Sequence, residues 1–137
     1  MMQESTDKKI YGAIDVGLKR IGLAYSPNGT MVFPLDAVMR KNRNQASSDT
    51  IKSLAEFNVN TIIVGLPKGG SSEEEMQRRI EHFVKLLEFE GEIEYQDEYG
   101  PSAEASELAK GVFKQKKDGK IDSLSAKLIL ERYLKIL

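Results

Sequence analysis

The sequence predicts an α/β domain on a five-stranded mixed sheet with helices on both faces, and three observations predict it. Two apolar runs, IYGAIDVG and RIGLAYS, meet at a glycine-containing turn, as the strands of a β-hairpin do. A later run, TIIVG, is short, unbroken and rich in β-branched residues, which suits a parallel strand buried on both faces. Between such runs lie segments with apolar residues at helical spacing, and parallel strands need crossover helices to connect them. The resulting order is βββαβαβα, with one further helix expected before the last.

After the hairpin, the turn Ser26-Pro27-Asn28-Gly29 leads into MVFPLDAVM, the third strand. From Asn44 the period changes: Ala46, Ile51, Leu54, Ala55 and Phe57 fall near helical spacing, and Asn58 closes that segment. The strand TIIVG comes next. Ser72 followed by Glu75 fits a capping box, and Glu73, Glu74 and Glu75 place negative charge where the helix dipole favours it. Met76, Ile80, Phe83, Val84 and Leu87 form the apolar stripe of that helix, and Gly91 stands where a C-terminal cap belongs. EIEYQ then alternates as a strand should, with Ile93, Tyr95 and Asp97 on one face and Glu94, Gln96 and Glu98 on the other. A helix from Ser102 to about Phe113 is expected after the Gly100-Pro101 break. The last helix runs through Leu124, Leu128, Ile129, Tyr133 and Leu134, with Asp122 as its N-cap.

Length and composition bound the chemistry. A chain of 137 residues suits one domain, 1–137, without a second to close a cleft. No run approaches the roughly 20 apolar residues that span a bilayer, and MMQESTDKK lacks a signal-peptide core, so a cytoplasmic location and no membrane partner are expected. With no cysteine, disulfides, thiolate zinc sites and cysteine nucleophiles are excluded, and a single histidine, His82, excludes a two-histidine metal site. A metal here would need oxygen ligands, which favours magnesium or manganese. His82 sits in an amphipathic helix and reads as a surface or boundary residue. Net charge is −1, but KGVFKQKKDGK, Lys110 to Lys120, carries five lysines and one aspartate.

Asp15 lies inside the first, strongly apolar strand, where an ionised carboxylate is costly unless something pairs with it. A salt bridge to Lys19 or Arg20 would serve, and so would a metal ion. Gly12, Ala13, Gly17, Gly22 and Ala24 surround it with small residues that leave room for a ligand. Glu98 ends another predicted strand, at the carboxyl edge where open α/β sheets bind ligands, with Glu94 and Asp97 as neighbouring candidates. Asp15, Glu98 and Asp122 together could hold one or two divalent cations for phosphoryl chemistry. Gly65 and Pro67 end the TIIVG strand at the same edge and could line a substrate. Tyr25 and Tyr99 could stack on a base, although core packing or exposure is the default reading of each.

The block AIDVGLKRIGLAYS resembles the opening motif of the YqgF/RuvX family, whose members act as nucleases on precursor 16S ribosomal RNA and are also classed as Holliday-junction-resolvase-like. IIVGLP with the Gly/Ser-rich turn after it, Asp97-Glu98, and DSLSAKLILERYL resemble the family's later blocks in order. The resemblance implies a ribonuclease-H-like fold and a metal-dependent acidic site at Asp15, Glu98 and Asp122. It also implies nucleic-acid partners, with precursor rRNA first, branched DNA second, and ribosomal particles as the setting, for a monomer or homodimer. In the third block the family continues with an arginine and a leucine-threonine run where this chain has Tyr99-Gly100-Pro101-Ser102. Positive charge for the substrate would then come from Lys19, Arg20, Lys68 or the lysines from Lys110 to Lys120. A non-catalytic RNA-binding factor is the alternative that this departure raises. An actin-like nucleotidase, which shares an Asp-x-Gly hairpin, would need two such domains.

Overall fold

The computed structural model describes residues 8–68, 73–98 and 120–136. Five strands, β1 (Tyr11–Val16), β2 (Arg20–Ser26), β3 (Phe33–Met39), β4 (Thr61–Pro67) and β5 (Glu92–Glu98), form one sheet in the order β3-β2-β1-β4-β5. β1, β2 and β3 are antiparallel neighbours, whereas β4 lies parallel to both β1 and β5. Helices α1 (Arg43–Ala55) and α2 (Glu73–Leu87) make the parallel crossovers, and α3 (Lys120–Leu134) closes the described chain.

Each face of the sheet has its own core. Ile14, Ile21, Leu23, Ile62 and Val64 pack with Leu54 of α1 and Ile80, Phe83 and Val84 of α2. On the opposite face Ala13, Ala24 and Ile63 pack against Ala126, Ile129 and Leu130 of α3. Alanines at 13, 24 and 126 on this face let α3 pack closely across the central strands. The fold class expected from the sequence, with helices on both faces, is therefore present.

Several local expectations change. The third strand starts at Phe33 rather than Met31. α1 begins one residue before Asn44, at Arg43, because Asn42 caps it: the Asn42 side chain accepts from Gln45 N at 2.8 Å and the Gln45 side chain answers at Asn42 N. Gly91 is not the cap of α2. Glu88, directly after Leu87, takes the left-handed conformation with φ 52°, and Gly91 is needed instead because any Cβ there would strike Asn60 O and the Phe89 ring. Asp122 does not cap α3, since Lys120 and Ile121 are already helical, and it stands in the first turn. The alternation expected for β5 holds, with Tyr95 exposed on this edge strand. Ser72, Tyr99, the helix expected over 102–113 and the lysine stretch up to Asp118 lie outside the described residues.

Candidate active site

Asp15 is the last α3-facing residue of β1. Alternation puts Tyr11, Ala13 and Asp15 on that face, while Gly12, Ile14 and Val16 point toward α1 and α2. Its cross-strand partner on β2 is Gly22. On β4 the register Ile14↔Val64, continued by one residue, sets Gly65 beside it. Asp15 is thus flanked on both neighbouring strands by residues with no side chain, and its carboxylate stands over a floor of bare backbone.

Gly65 does more than leave room. A methyl group built on it would stand 3.0 Å from Glu98 Oε1 and 2.5 Å from Ile129 Cδ1 of α3. The Glu98 carboxylate therefore leans over β4 into the space that the glycine leaves, toward the strand that carries Asp15. Glu98 is 9% exposed. A carboxylate so far out of water requires compensating hydrogen bonds or positive charge. Its neighbours separate from it: Asp97 points to the other face, where Lys68 Nζ lies 3.7 Å away, and Glu94 accepts a 2.8 Å hydrogen bond from the Tyr133 hydroxyl. Of the three, Glu98 is the one that reaches the space over Gly65.

α3 completes the surroundings. Buried Ser123, one residue after Asp122, donates from its hydroxyl to Leu35 O and accepts from Leu23 N at 3.5 Å, which fixes the start of the helix over β2 and β3. Asp122 therefore belongs to the turn of α3 on the face that carries Asp15 and Glu98. Its own side chain is outside the described atoms. Among the described residues, no three Asp, Glu or His side chains come close enough to share a metal ion. Ser123 and Ile129, which shape this site, are invisible as such in the sequence; a serine inside an apolar helical stripe was the one available signal.

The other expected residues divide. Lys19 is exposed in the β1–β2 turn, and Arg20 opens β2 on the Asp15 face by alternation. Pro67 O accepts from Gln77 Nε2 at 3.0 Å, tying the end of β4 to α2, and Lys68 is drawn to Asp97. Tyr25 packs on Phe57 and Phe33, with ring centroids 4.3 and 5.7 Å away, so packing accounts for it. His82 is exposed and lies 3.0 Å from Arg43 Nη1.

The family model for RuvX, described as Holliday junction resolvase, matches residues 9–136. The chain belongs to the RuvX family. A RuvX-family relative from Sulfurovum sp. (strain NBC37-1), named as a pre-16S rRNA nuclease, is 58% identical over 124 residues, covering 90% of this chain and 97% of that protein. One from Helicobacter pylori (strain HPAG1), with the same name, is 48% identical over 126 residues, covering 88% and 92%. Among solved structures, Thermus-type "T. thermophilus RuvC in complex with Holliday junction substrate" aligns at a TM-score of 0.58 and 13% identity over 93% of this chain and 97% of that one. The fowlpox virus Holliday junction resolvase aligns at 0.54 and 14%, over 93% and 99%. The ribonuclease-H-like fold implied by the sequence motifs is therefore correct, and membership of RuvX makes the chain a nuclease of the phosphodiester-hydrolysing kind.

Proposed function

We propose that this RuvX chain hydrolyses phosphodiester bonds near the 5′ end of precursor 16S rRNA in the cytoplasm, with Asp15, Glu98 and Asp122 holding magnesium or manganese. One observation supports it above the rest: Asp15 stands between two glycines, and Glu98 occupies the space that the second of them leaves. Carboxylate oxygens suit a hard cation, and Gly65 fits the set because its missing side chain is what lets the Glu98 carboxylate lean toward the strand of Asp15. Bound there, the ion would polarise the phosphoryl oxygens and lower the pKa of an attacking water. Asp15 would be its principal ligand. Glu98 would complete the ligand set or hold the water in line, its buried position limiting the directions it can face.

The test is cleavage of end-labelled precursor 16S rRNA with magnesium or manganese. Wild type should cut, and Asp15→Asn should lose at least about a hundredfold in rate while folding normally, because it keeps the shape and removes the ligand charge. Equal cleavage by both proteins would overturn the assignment. Tight RNA binding by a wild type that never cuts would instead favour the non-catalytic role.

A second substrate, branched DNA, is favoured by the description of the matching family and by the junction-bound relative in structure space. A junction resolvase needs two sites on opposite strands, hence a dimer. A synthetic four-way junction cut symmetrically by a dimeric species would support it, and a strictly monomeric protein on the junction would exclude it.

A further inference from the structure

A cleft whose charged lining is mainly arginine opens on the sheet face away from the acids. It lies between α1, α2 and the β1–β2 turn, has a volume of about 570 Å³, and is lined by Arg40, Arg43, Arg78 and Arg79. Glu75 is the one carboxylate lining it among the described residues, and its ion pair with Arg79, at 2.9 Å, is exposed to solvent and weak, so four arginines against one carboxylate leave the cleft strongly positive. Arg40 is fixed at the back, with Nη1 donating to Gly17 O at 2.7 Å and its guanidinium 5.6 Å from the centre of the Phe83 ring. Burial and the nearby charges of Arg43 and Arg79 push the Arg40 pKa down, so these cations sit close enough to repel one another. Such a cluster carries a standing cost that an anion would relieve.

Shape and position indicate the kind of anion. A second depression of about 280 Å³ shares Arg43 and His82 with the first and extends past Asn42, so the two form an elongated groove rather than a single-phosphate pocket. Its other end is lined by Val16, Gly17 and Leu18, the residues that directly follow Asp15 in the chain. Groove and acids therefore meet at the carboxyl edge of β1, on opposite faces.

We propose that this groove binds the phosphodiester backbone of single-stranded RNA flanking the cleaved bond, the strand passing over the β1–β2 turn from Asp15 to Arg40, Arg43 and Arg79. The inference rests on the nuclease reading of the acidic site. It assigns the strand-holding charge to residues other than Lys19, Lys68 and the lysine stretch.

The experiment measures binding apart from cleavage, by fluorescence anisotropy of a labelled 20-nucleotide single-stranded RNA at graded salt, without divalent metal. The double variant Arg43→Gln/Arg79→Gln should bind about tenfold or more weakly, and its slope of log affinity against log salt should fall by about 1.4, the loss of two phosphate contacts. Arg43→Lys/Arg79→Lys should keep most of the affinity, and a melting temperature near wild type would show that Arg43→Gln/Arg79→Gln is folded. Unchanged affinity and slope in the folded double variant would overturn the proposal. So would a nucleoside monophosphate that binds wild type as tightly as the RNA does and loses its affinity in the variant, since that would mark a nucleotide pocket. The two readings fail separately, because the anisotropy assay needs neither divalent metal nor turnover: failure of the groove would leave the cleavage assay intact, and failure of cleavage would leave the salt slopes interpretable.

Discussion

At the scale of single residues, the site depends on what Gly65 lacks. The tightest approach there is Ile129 Cδ1, followed by Glu98 Oε1. Gly65→Ala should therefore displace both, costing about 1–3 kcal/mol as an overpacked core does, and should lower nuclease activity as well. Ile129→Val removes the Cδ1 atom. In the Gly65→Ala background it should recover part of the melting temperature while activity stays low, because the new methyl still crowds Glu98; full recovery of activity would show that the glycine matters only for packing. Asp15 was legible as a candidate from sequence because a carboxylate in an apolar strand stands out. Its companions were not equally legible. Glu98 lies among Glu94 and Asp97; Glu94 and Glu98 both face α3, and only the close approach at Gly65 shows that Glu98 is the one leaning over β4 toward Asp15.

At the scale of elements, α3 is held at both ends by polar contacts to the sheet. Ser123 ties its start to Leu35 and Leu23, and near its end Tyr133 donates to Glu94 on β5 and packs 6.1 Å from the Tyr11 ring. Ser123→Ala leaves a carbonyl acceptor without its donor in a buried position and should cost about 1–3 kcal/mol in chemical denaturation. It should also reduce activity by loosening the turn that carries Asp122; a destabilised variant with undiminished activity after correction for folded fraction would contradict that second role.

Burial, then the hydrogen bond to Glu94, pushes the Tyr133 pKa up to about 12. The phenol is neutral when protonated, so a raised folded-state pKa favours folding below the ordinary value of about 10 and loses that contribution as pH rises through 12. In a spectrophotometric titration, Tyr133→Phe should delete a tyrosine step near 12, and the variant should show less loss of stability between pH 10 and 12 than wild type.

At the scale of the whole molecule, the strand order places β2, β1 and β4 between paired neighbours, β1 and β4 lying farther from β3 than β2 does, and leaves β3 and β5 at the edges. Native-state hydrogen exchange should therefore find its slowest amides in β1 and β4 and faster exchange in β3, whose outer side is unpaired. Slowest exchange in β3 would mean that the edge is covered in solution, as a dimer through that edge would do. The sheet also separates two functions in space. Its α3 face carries the acids, its α1–α2 face the arginines, and the short β1–β2 turn is the passage between them.

The sequence by itself determined the α/β class, all five strands, the three described helices and the first aspartate. These follow from local periodicity, turn residues and the cost of a charge among apolar neighbours, all of which are written in runs of ten or so residues. It also carried four ordered motifs, enough to point to the family. It misplaced the caps of the last two helices, because a glycine or an aspartate near a boundary has other uses that only packing reveals: Gly91 clears Asn60, and Asp122 rides inside the helix. Tertiary structure alone decided that Gly22 and Gly65 flank Asp15, that Glu98 rather than its neighbours leans over the gap, and that Arg40 and Arg43 meet Arg78 and Arg79 from some 35 residues farther along the chain. The physical reason is the same in each case. Period and composition specify which side of an element is apolar, whereas juxtaposition of distant groups is set by strand register and helix packing.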